Sequence, residues 1–127
     1  MKRINLSING KQFINLDRYV DEEIASAENN EGLCIVTVED PSVALLLAED
    51  NKDVLDDISE ELERLLPPRT NYLNNAVPEK AAAFSMAALL SQSKELIYTD
   101  KQRLAKNKSL YVYALTEENV CIDIKCI

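Results

Sequence analysis

One amphipathic segment, residues 51–66, constrains the fold of this chain more than any other feature. Its apolar residues recur every three or four positions, as at Val54, Ile58 and Leu62, and carboxylates occupy the opposite positions. This is the period of an α-helix with one buried face. The Pro67-Pro68 pair cannot continue a helix, so the pattern predicts a helix that ends there.

The remaining elements are short. Alternation and β-branched runs predict strands over 2–8, 11–16, 33–38, 43–48, 95–99, 103–104, 110–116 and 120–127. Asn9-Gly10 is typical of a tight turn and predicts a hairpin between the first two strands. Asp17 is expected to cap a first helix, and Pro78 suits the first turn of a third helix that runs to Leu90.

The order of these elements indicates the fold class. Helices and strands do not alternate regularly, which favours an α+β fold with largely antiparallel β-sheets and two or three helices. A chain of 127 residues is of ordinary size for one domain with its own core. We therefore expect a single domain over 1–127.

The charge of the chain argues against two classes of partner. The chain carries 14 Lys and Arg against 22 Asp and Glu, a net charge of −8. Nucleic acids and anionic membranes attract basic surfaces, so neither is an expected partner. No apolar leader follows Met1, the uncharged stretch 81–93 is too short to span a bilayer, and three cysteines are typical of a reducing compartment. These features predict a cytoplasmic protein.

The chain contains no histidine, which limits its chemistry. Histidine is the usual proton-transfer group near neutral pH and the commonest metal ligand. Cys121 and Cys126 are five residues apart in a predicted strand, so their side chains should point to opposite faces and cannot chelate one ion. We interpret them and Cys34 as small buried hydrophobic residues, and we expect no metal and no other cofactor.

Two charged clusters each have two interpretations. The acidic face of residues 53–63 could hold a hard cation or could be a solvated helix face. Its spacing imitates an EF-hand, but Val54 stands where that loop needs glycine, so the solvated face is favoured. A basic cluster could bind a small phosphate or form a solvated turn, which is favoured. It comprises Lys101, Arg103, Lys106 and Lys108.

The break between the predicted strands 33–38 and 43–48 is a third candidate for a functional site. Glu39 and Asp40, followed by Pro41-Ser42, could supply an acid/base pair positioned by the sheet, or they could form a hydrophilic turn. The frequency of Asp-Pro turns favours the second interpretation.

Several segments together resemble the YjbQ family. The blocks 32–38 and 44–49, the Asp-Val helix start at 53–54 and the Leu-Pro stop at 66–67 follow that family's order and spacing, as do Asn75-Ala76 and Lys80-Ala81 further on. The family's histidines are missing. Its His-Thr-Thr turn is replaced by Asp40-Pro41-Ser42, its Tyr-x-His loop by residues 72–75, and its third histidine falls near residues 77–79.

The resemblance implies an α+β subunit that assembles as a homotrimer and an activity described as secondary thiamine-phosphate synthase. Two functions follow. The chain is either a divergent trimer without the histidine-dependent chemistry, acting as a binding or structural protein, or an enzyme that acts on a small phosphorylated ligand through carboxylates. The candidate catalytic residues for the second function are Asp40, Ser42, Glu49 and Asp53. The first function is favoured because all three histidines are absent together.

Overall fold

A computed structural model describes residues 1–74 and 76–127. Its helices are α1 (Asp17–Ala25), α2 (Lys52–Leu65) and α3 (Pro78–Leu90). Its strands are β1 (Lys2–Ile8), β2 (Gln12–Asn15), β3 (Gly32–Val38), β4 (Val43–Ala48), β5 (Ser93–Thr99), β6 (Gln102–Arg103), β7 (Ser109–Ala114) and β8 (Glu118–Cys126). Each predicted helix and strand is present within a few residues of its expected bounds, and the α+β class is confirmed.

The strands form two antiparallel sheets. A five-stranded sheet has the order β1-β8-β3-β5-β6, and a three-stranded sheet has the order β2-β7-β4. The main core lies between the sheets and includes Val20 and Ile24 of α1. A second apolar cluster joins the outer face of the smaller sheet to α2 and α3. The fold therefore has three layers, with the smaller sheet in the middle.

Strand β4 shows why the middle layer is so apolar. Val43 and Leu45 point into the core between the sheets, whereas Ala44 and Leu46 point toward the helices. Successive side chains of a strand point to opposite faces of the sheet. When both faces are covered by other elements, nearly all residues of the strand are apolar. Among the residues that the structure describes, no helix is both long enough and apolar enough to cross a bilayer.

The predicted hairpin between β1 and β2 is wrong. β1 pairs with β8 and β2 pairs with β7, so the two strands belong to different sheets. The residue with positive φ is Lys11 rather than Gly10. Gly10 is needed for another reason, because a Cβ at this position would lie 2.9 Å from the carbonyl oxygen of Leu115. The Asn-Gly pair therefore lies in the connection that leads from the five-stranded sheet to the three-stranded sheet.

The predicted capping role of Asp17 is also wrong. Its carboxylate accepts hydrogen bonds from the Leu110 amide at 2.9 Å and from Arg103 at 3.1 Å, and makes none to the start of α1. The backbone N–H of Asp17 instead donates to the Asn15 side chain at 2.8 Å. The carboxylate therefore connects α1 to the sheets, a contact between distant parts of the sequence that local patterns do not reveal.

Candidate functional site

The candidate site lies where the chain enters β4. Residues 40–43 form a turn in which the Asp40 carboxylate accepts the backbone N–H of Ser42 at 2.8 Å and the Ser42 hydroxyl at 2.6 Å. The predicted turn at Pro41 is confirmed. Only 1% of Ser42 is exposed, so this hydroxyl is a buried polar group that needs partners.

Two charged side chains from other elements complete this cluster. Lys80, in the first turn of α3, donates to the Ser42 hydroxyl at 2.8 Å and forms an ion pair with Glu118 at the start of β8. Thr116 donates to the same Glu118 carboxylate at 2.7 Å. The side chains of Lys80 and Glu118 are 29% and 15% exposed, so the pair is largely removed from water. We call Asp40, Ser42, Lys80, Thr116 and Glu118 the β4 corner.

Gln92, just before β5, fixes the backbone of this turn. Its side-chain amide donates to the carbonyl oxygen of Asp40 and, at 3.2 Å, to that of Val43. The β4 corner and Gln92 therefore join the β3–β4 turn to the start of α3, the start of β8 and the segment before β5. Each of these polar groups has its partner inside the protein.

The hydrogen-bond directions limit what this cluster can do chemically. Lys80 donates to the Ser42 hydroxyl and pairs with the Glu118 carboxylate, so its nitrogen is placed as a hydrogen-bond donor and not as the base that would activate the serine. The Ser42 hydroxyl has two carboxylate acceptors, Asp40 at 2.6 Å and Glu118 at 3.5 Å, and the nearer one, Asp40, is the better placed to act as a base. Because Ser42 is almost completely buried, a substrate has no direct route to its oxygen. Five surface clefts on the described chain are lined by other residues.

The other two predicted site residues lie at the opposite end of β4. Glu49 follows the strand and Asp53 is in the first turn of α2, and both are exposed. Six strand residues separate Glu49 from Ser42, a distance of about 20 Å. The four predicted residues therefore do not form one site: Asp40 and Ser42 are in contact, and Glu49 and Asp53 are remote from them.

The acidic face of α2 is engaged in surface ion pairs. Asp56 pairs with Lys52 at 2.6 Å, Glu60 with Arg64 at 2.6 Å, and Glu63 with Lys11 at 3.0 Å. The segment with EF-hand-like spacing is helical from Lys52 onward. In the described part of the chain, no group of three or more Cys, Asp or Glu side chains is arranged to hold a metal ion. This geometry agrees with a solvated helix face.

Side chains of the basic cluster also form ion pairs and hydrogen bonds within the protein. The Arg103 side chain is 11% exposed, and it pairs with Asp17 at 3.1 Å and with Asp21 at 2.9 Å. Lys106 donates to the Gln102 side chain, and Lys101 donates to the carbonyl oxygen of Ala27. These contacts connect α1 to the β5–β6 hairpin and engage the Nε and Nη1 groups of Arg103.

Sequence patterns missed three residues of the β4 corner, Lys80, Thr116 and Glu118, and also Gln92 beside it. Lys80 lies in the Lys-Ala match to the YjbQ family, which was the one available signal for it. Thr116 and Glu118 lie at the end of one predicted strand and just before the next, and Gln92 lies outside every motif. The Tyr-x-His replacement includes Asn75, which lies outside the described residues; within it, Tyr72 donates to the carbonyl oxygen of Pro67 at 2.8 Å.

One known protein family matches nearly the whole chain. A family model described as "UPF0047 protein YjbQ-like" matches residues 2–121. No curated protein matches the chain significantly.

Several solved structures share this fold. An uncharacterised YjbQ/UPF0047 protein from Clostridium acetobutylicum has a TM-score of 0.90 at 19% identity, with 100% of both chains covered. A hypothetical protein from Aeropyrum pernix has a TM-score of 0.85 at 16% identity, covering 100% of this chain and 98% of that one. A YbjQ-like protein of unknown function from Sulfolobus solfataricus has a TM-score of 0.80 at 14% identity, covering 97% and 94%.

Proposed function

The chain belongs to the UPF0047 protein YjbQ-like family, and from this premise we propose that it is a divergent, non-catalytic member that assembles as a homotrimer and acts as a binding or structural protein. The observation that carries this proposal is the β4 corner. Where the resemblance places the family's His-Thr-Thr turn, this chain has a buried serine whose hydroxyl is held by Asp40 on one side and Lys80 on the other.

The chemistry of the corner supports a structural role. An active site needs polar groups that are free to contact a substrate, because only contacts made to the reacting atoms lower the barrier. In this cluster the ammonium of Lys80 is already neutralised by Glu118, and the Ser42 oxygen is inaccessible. A satisfied, buried polar network instead fixes the positions of the elements that it joins.

The outer face of the five-stranded sheet supports self-association. Leu33 and Ile97 are direct cross-strand partners on this face, and they are 40% and 55% exposed. Leu104, whose backbone N–H donates to Ile97, is 52% exposed. A contiguous apolar patch of this kind is typical of a contact between subunits.

Light scattering tests the assembly. We expect a particle with three times the 14.3 kDa mass of one chain, and we expect the Ile97→Lys variant to dissociate because it places a charge in the patch. Leu89→Lys is the control, since Leu89 is 73% exposed on α3, in the helical layer. A monomeric native protein would refute the trimer. Dissociation by Leu89→Lys alone would place the contact elsewhere.

An activity assay tests the absence of catalysis. The reaction is condensation of the pyrimidine diphosphate with the thiazole phosphate, the activity that the resemblance implies. We expect no turnover above a protein-free control, because positioned proton transfer contributes about 10²–10⁴-fold and the family's histidines are absent.

A carboxylate-dependent enzyme is the second candidate. One observation favours it: the Ser42 hydroxyl donates to the Asp40 carboxylate at 2.6 Å, which is the contact a base would make to activate a nucleophile. Turnover of the phosphorylated substrates by the native chain, abolished in Asp40→Asn, would select this candidate. Retained turnover in that variant would assign the reaction to other residues.

A further inference from the structure

Two cysteines face each other across neighbouring strands. In the antiparallel pairing of β3 with β8, Cys34 lies directly opposite Cys126. The next residues, Leu33 and Ile127, exchange both backbone hydrogen bonds, at 3.1 and 2.8 Å. Such pairs alternate along an antiparallel ladder, so Cys34 and Cys126 occupy a non-hydrogen-bonded position, where opposing Cα atoms are only about 4.5 Å apart.

This separation suits a covalent link. Disulfides join residues whose Cα atoms are about 4.4–6.8 Å apart, with both Cβ atoms on the same side. Cys34 and Cys126 meet that condition, because both lie on the inner face of the sheet, with Val36 and Ile124 as the next inward pair. Cys34 is completely buried, whereas Cys126 is partly exposed near the end of β8.

The surroundings hold the end of β8 firmly against β3. A Cβ at Gly32 would lie 2.0 Å from the carbonyl oxygen of Ile127, so only glycine permits this approach. Tyr98 is the cross-strand partner of Gly32 and is 1% exposed, and its hydroxyl has no hydrogen-bond partner among the described residues. The two cysteines are therefore kept in register by packing on both sides of them.

We propose that Cys34 and Cys126 are a reversible redox modification site, which closes to an intramolecular disulfide in the presence of glutathione disulfide. The partly exposed Cys126 reacts first: its thiolate attacks one glutathione sulfur, the glutathione S–S bond breaks, and one glutathione thiolate leaves. The Cys34 thiolate then attacks the Cys126 sulfur and releases the second glutathione. Two cysteine thiols are oxidised, one glutathione disulfide is reduced to two glutathiones, and the two thiol protons go to the released thiolates.

The protein contains its own control in Cys121. This residue lies on the same strand as Cys126 but on the outer face, and its cross-strand partner is Asn5. It therefore has no thiol opposite it. Burial raises the pKa of both Cys34 and Cys126, and the neighbouring Cys126 thiol adds to the effect on Cys34. The thiolate is scarce at neutral pH, so we expect oxidation over minutes to hours.

Intact-mass measurement of the full chain tests the site. The native protein is incubated with excess glutathione disulfide, quenched in acid, unfolded and alkylated. We expect three alkyl groups on the reduced chain, one for each of its 3 cysteines, and a single group, on Cys121, after oxidation. Dithiothreitol should restore all of them. Non-reducing peptide mapping should identify the Cys34–Cys126 link.

Variants separate this result from other thiol chemistry. Cys121→Ser should still form the disulfide, Cys126→Ser should not react with glutathione at position 34, and Cys34→Ser should stop at a glutathione adduct on Cys126. The oxidised native chain should melt at least about 5 °C higher, because the link closes a long loop of the unfolded chain. The inference fails if oxidised native protein keeps all its free thiols, accumulates a lasting adduct on Cys126, or forms only links between chains through Cys121.

Discussion

The two ends of β4 carry similar residues in opposite environments. At the Ser42 end, a lysine–carboxylate pair and a hydroxyl are enclosed between α3, β8 and the β3–β4 turn. At the other end, Glu49 and Asp53 are exposed, and the Asn51 side chain between them caps α2. Residues from both ends are candidates for one catalytic site on the sequence alone. Their environments predict that the charged side chains at the Ser42 end contribute more to stability than Glu49 and Asp53 do.

The difference follows from solvation. Water weakens an exposed ion pair, and holding two long side chains together costs entropy, so such a pair contributes at most about 1 kcal/mol. A largely buried charge has given up its water, so the loss of its partner leaves a cost that is not compensated. Variants at the two ends should therefore differ in their effect on the free energy of unfolding.

Lys80→Met should produce the largest effect. It leaves Glu118 as an unpaired carboxylate and removes the donor to Ser42, and we expect a loss of about 2–4 kcal/mol, somewhat below the value for a fully buried pair because Lys80 is 29% exposed. Urea unfolding measures it. Lys52→Met is the matched control, since its pair with Asp56 is 85% and 63% exposed and should cost less than about 0.5 kcal/mol. Equal losses in the two variants would contradict the comparison.

A second substitution in the β4 corner tests whether Lys80 and Glu118 interact. Adding Glu118→Gln to Lys80→Met removes the unpaired charge, so we expect the double variant to recover at least about 1 kcal/mol of the loss. Losses that simply add in the same urea experiment would mean that the two side chains do not interact.

Asn51→Ala should have an intermediate effect at the exposed end. The Asn51 side chain accepts the backbone N–H groups of Asp53 at 2.9 Å and Val54 at 3.4 Å, and loss of such a cap costs about 1 kcal/mol. Thermal unfolding followed by circular dichroism measures it, with Asn71→Ala in the exposed 69–74 loop as the control. A cost as large as that of Lys80→Met would remove the contrast between the two ends.

Glu49→Gln should have the smallest effect. The side chain is exposed and no helix depends on it, so we expect a change within about 0.5 kcal/mol in urea. Asp53→Asn should cost about 0.5 kcal/mol, because the carboxylate interacts favourably with the positive end of the α2 dipole. A loss above about 2 kcal/mol for either variant would show a buried role that the exposed positions do not explain.

Local patterns predicted the elements of this fold but not their pairing. The apolar stripe and Pro67-Pro68 predicted α2, and Pro78 predicted the start of α3, because both signals act within one or two turns of chain. The partner of β2 is β7, about 100 residues away, and no short-range signal specifies it. Asn9-Gly10 favoured the nearer pairing, which the two-sheet architecture overrides.

The same limit applies to the candidate site. Asp40 and Ser42 were predicted because they interrupt two apolar strands, and they do form the turn of the β4 corner. Glu118 is 76 residues from Ser42 in sequence, and the strands that these two residues begin or precede, β8 and β4, belong to different sheets. The distinction between a catalytic and a structural turn depends on burial and on the direction of each hydrogen bond, and a list of residue types contains neither.

The most direct test of a structural β4 corner is the free energy of unfolding of Ser42→Ala, measured beside the native chain. Removal of this buried hydroxyl deprives Lys80 and Asp40 of a shared partner, and we expect a loss of about 1–3 kcal/mol. We expect no turnover by either the native chain or the variant. Catalytic groups are commonly retained at a cost to stability. An unchanged or more stable Ser42→Ala variant, from a native chain that turns over the phosphorylated substrates, would contradict the structural role and make Ser42 part of an active site.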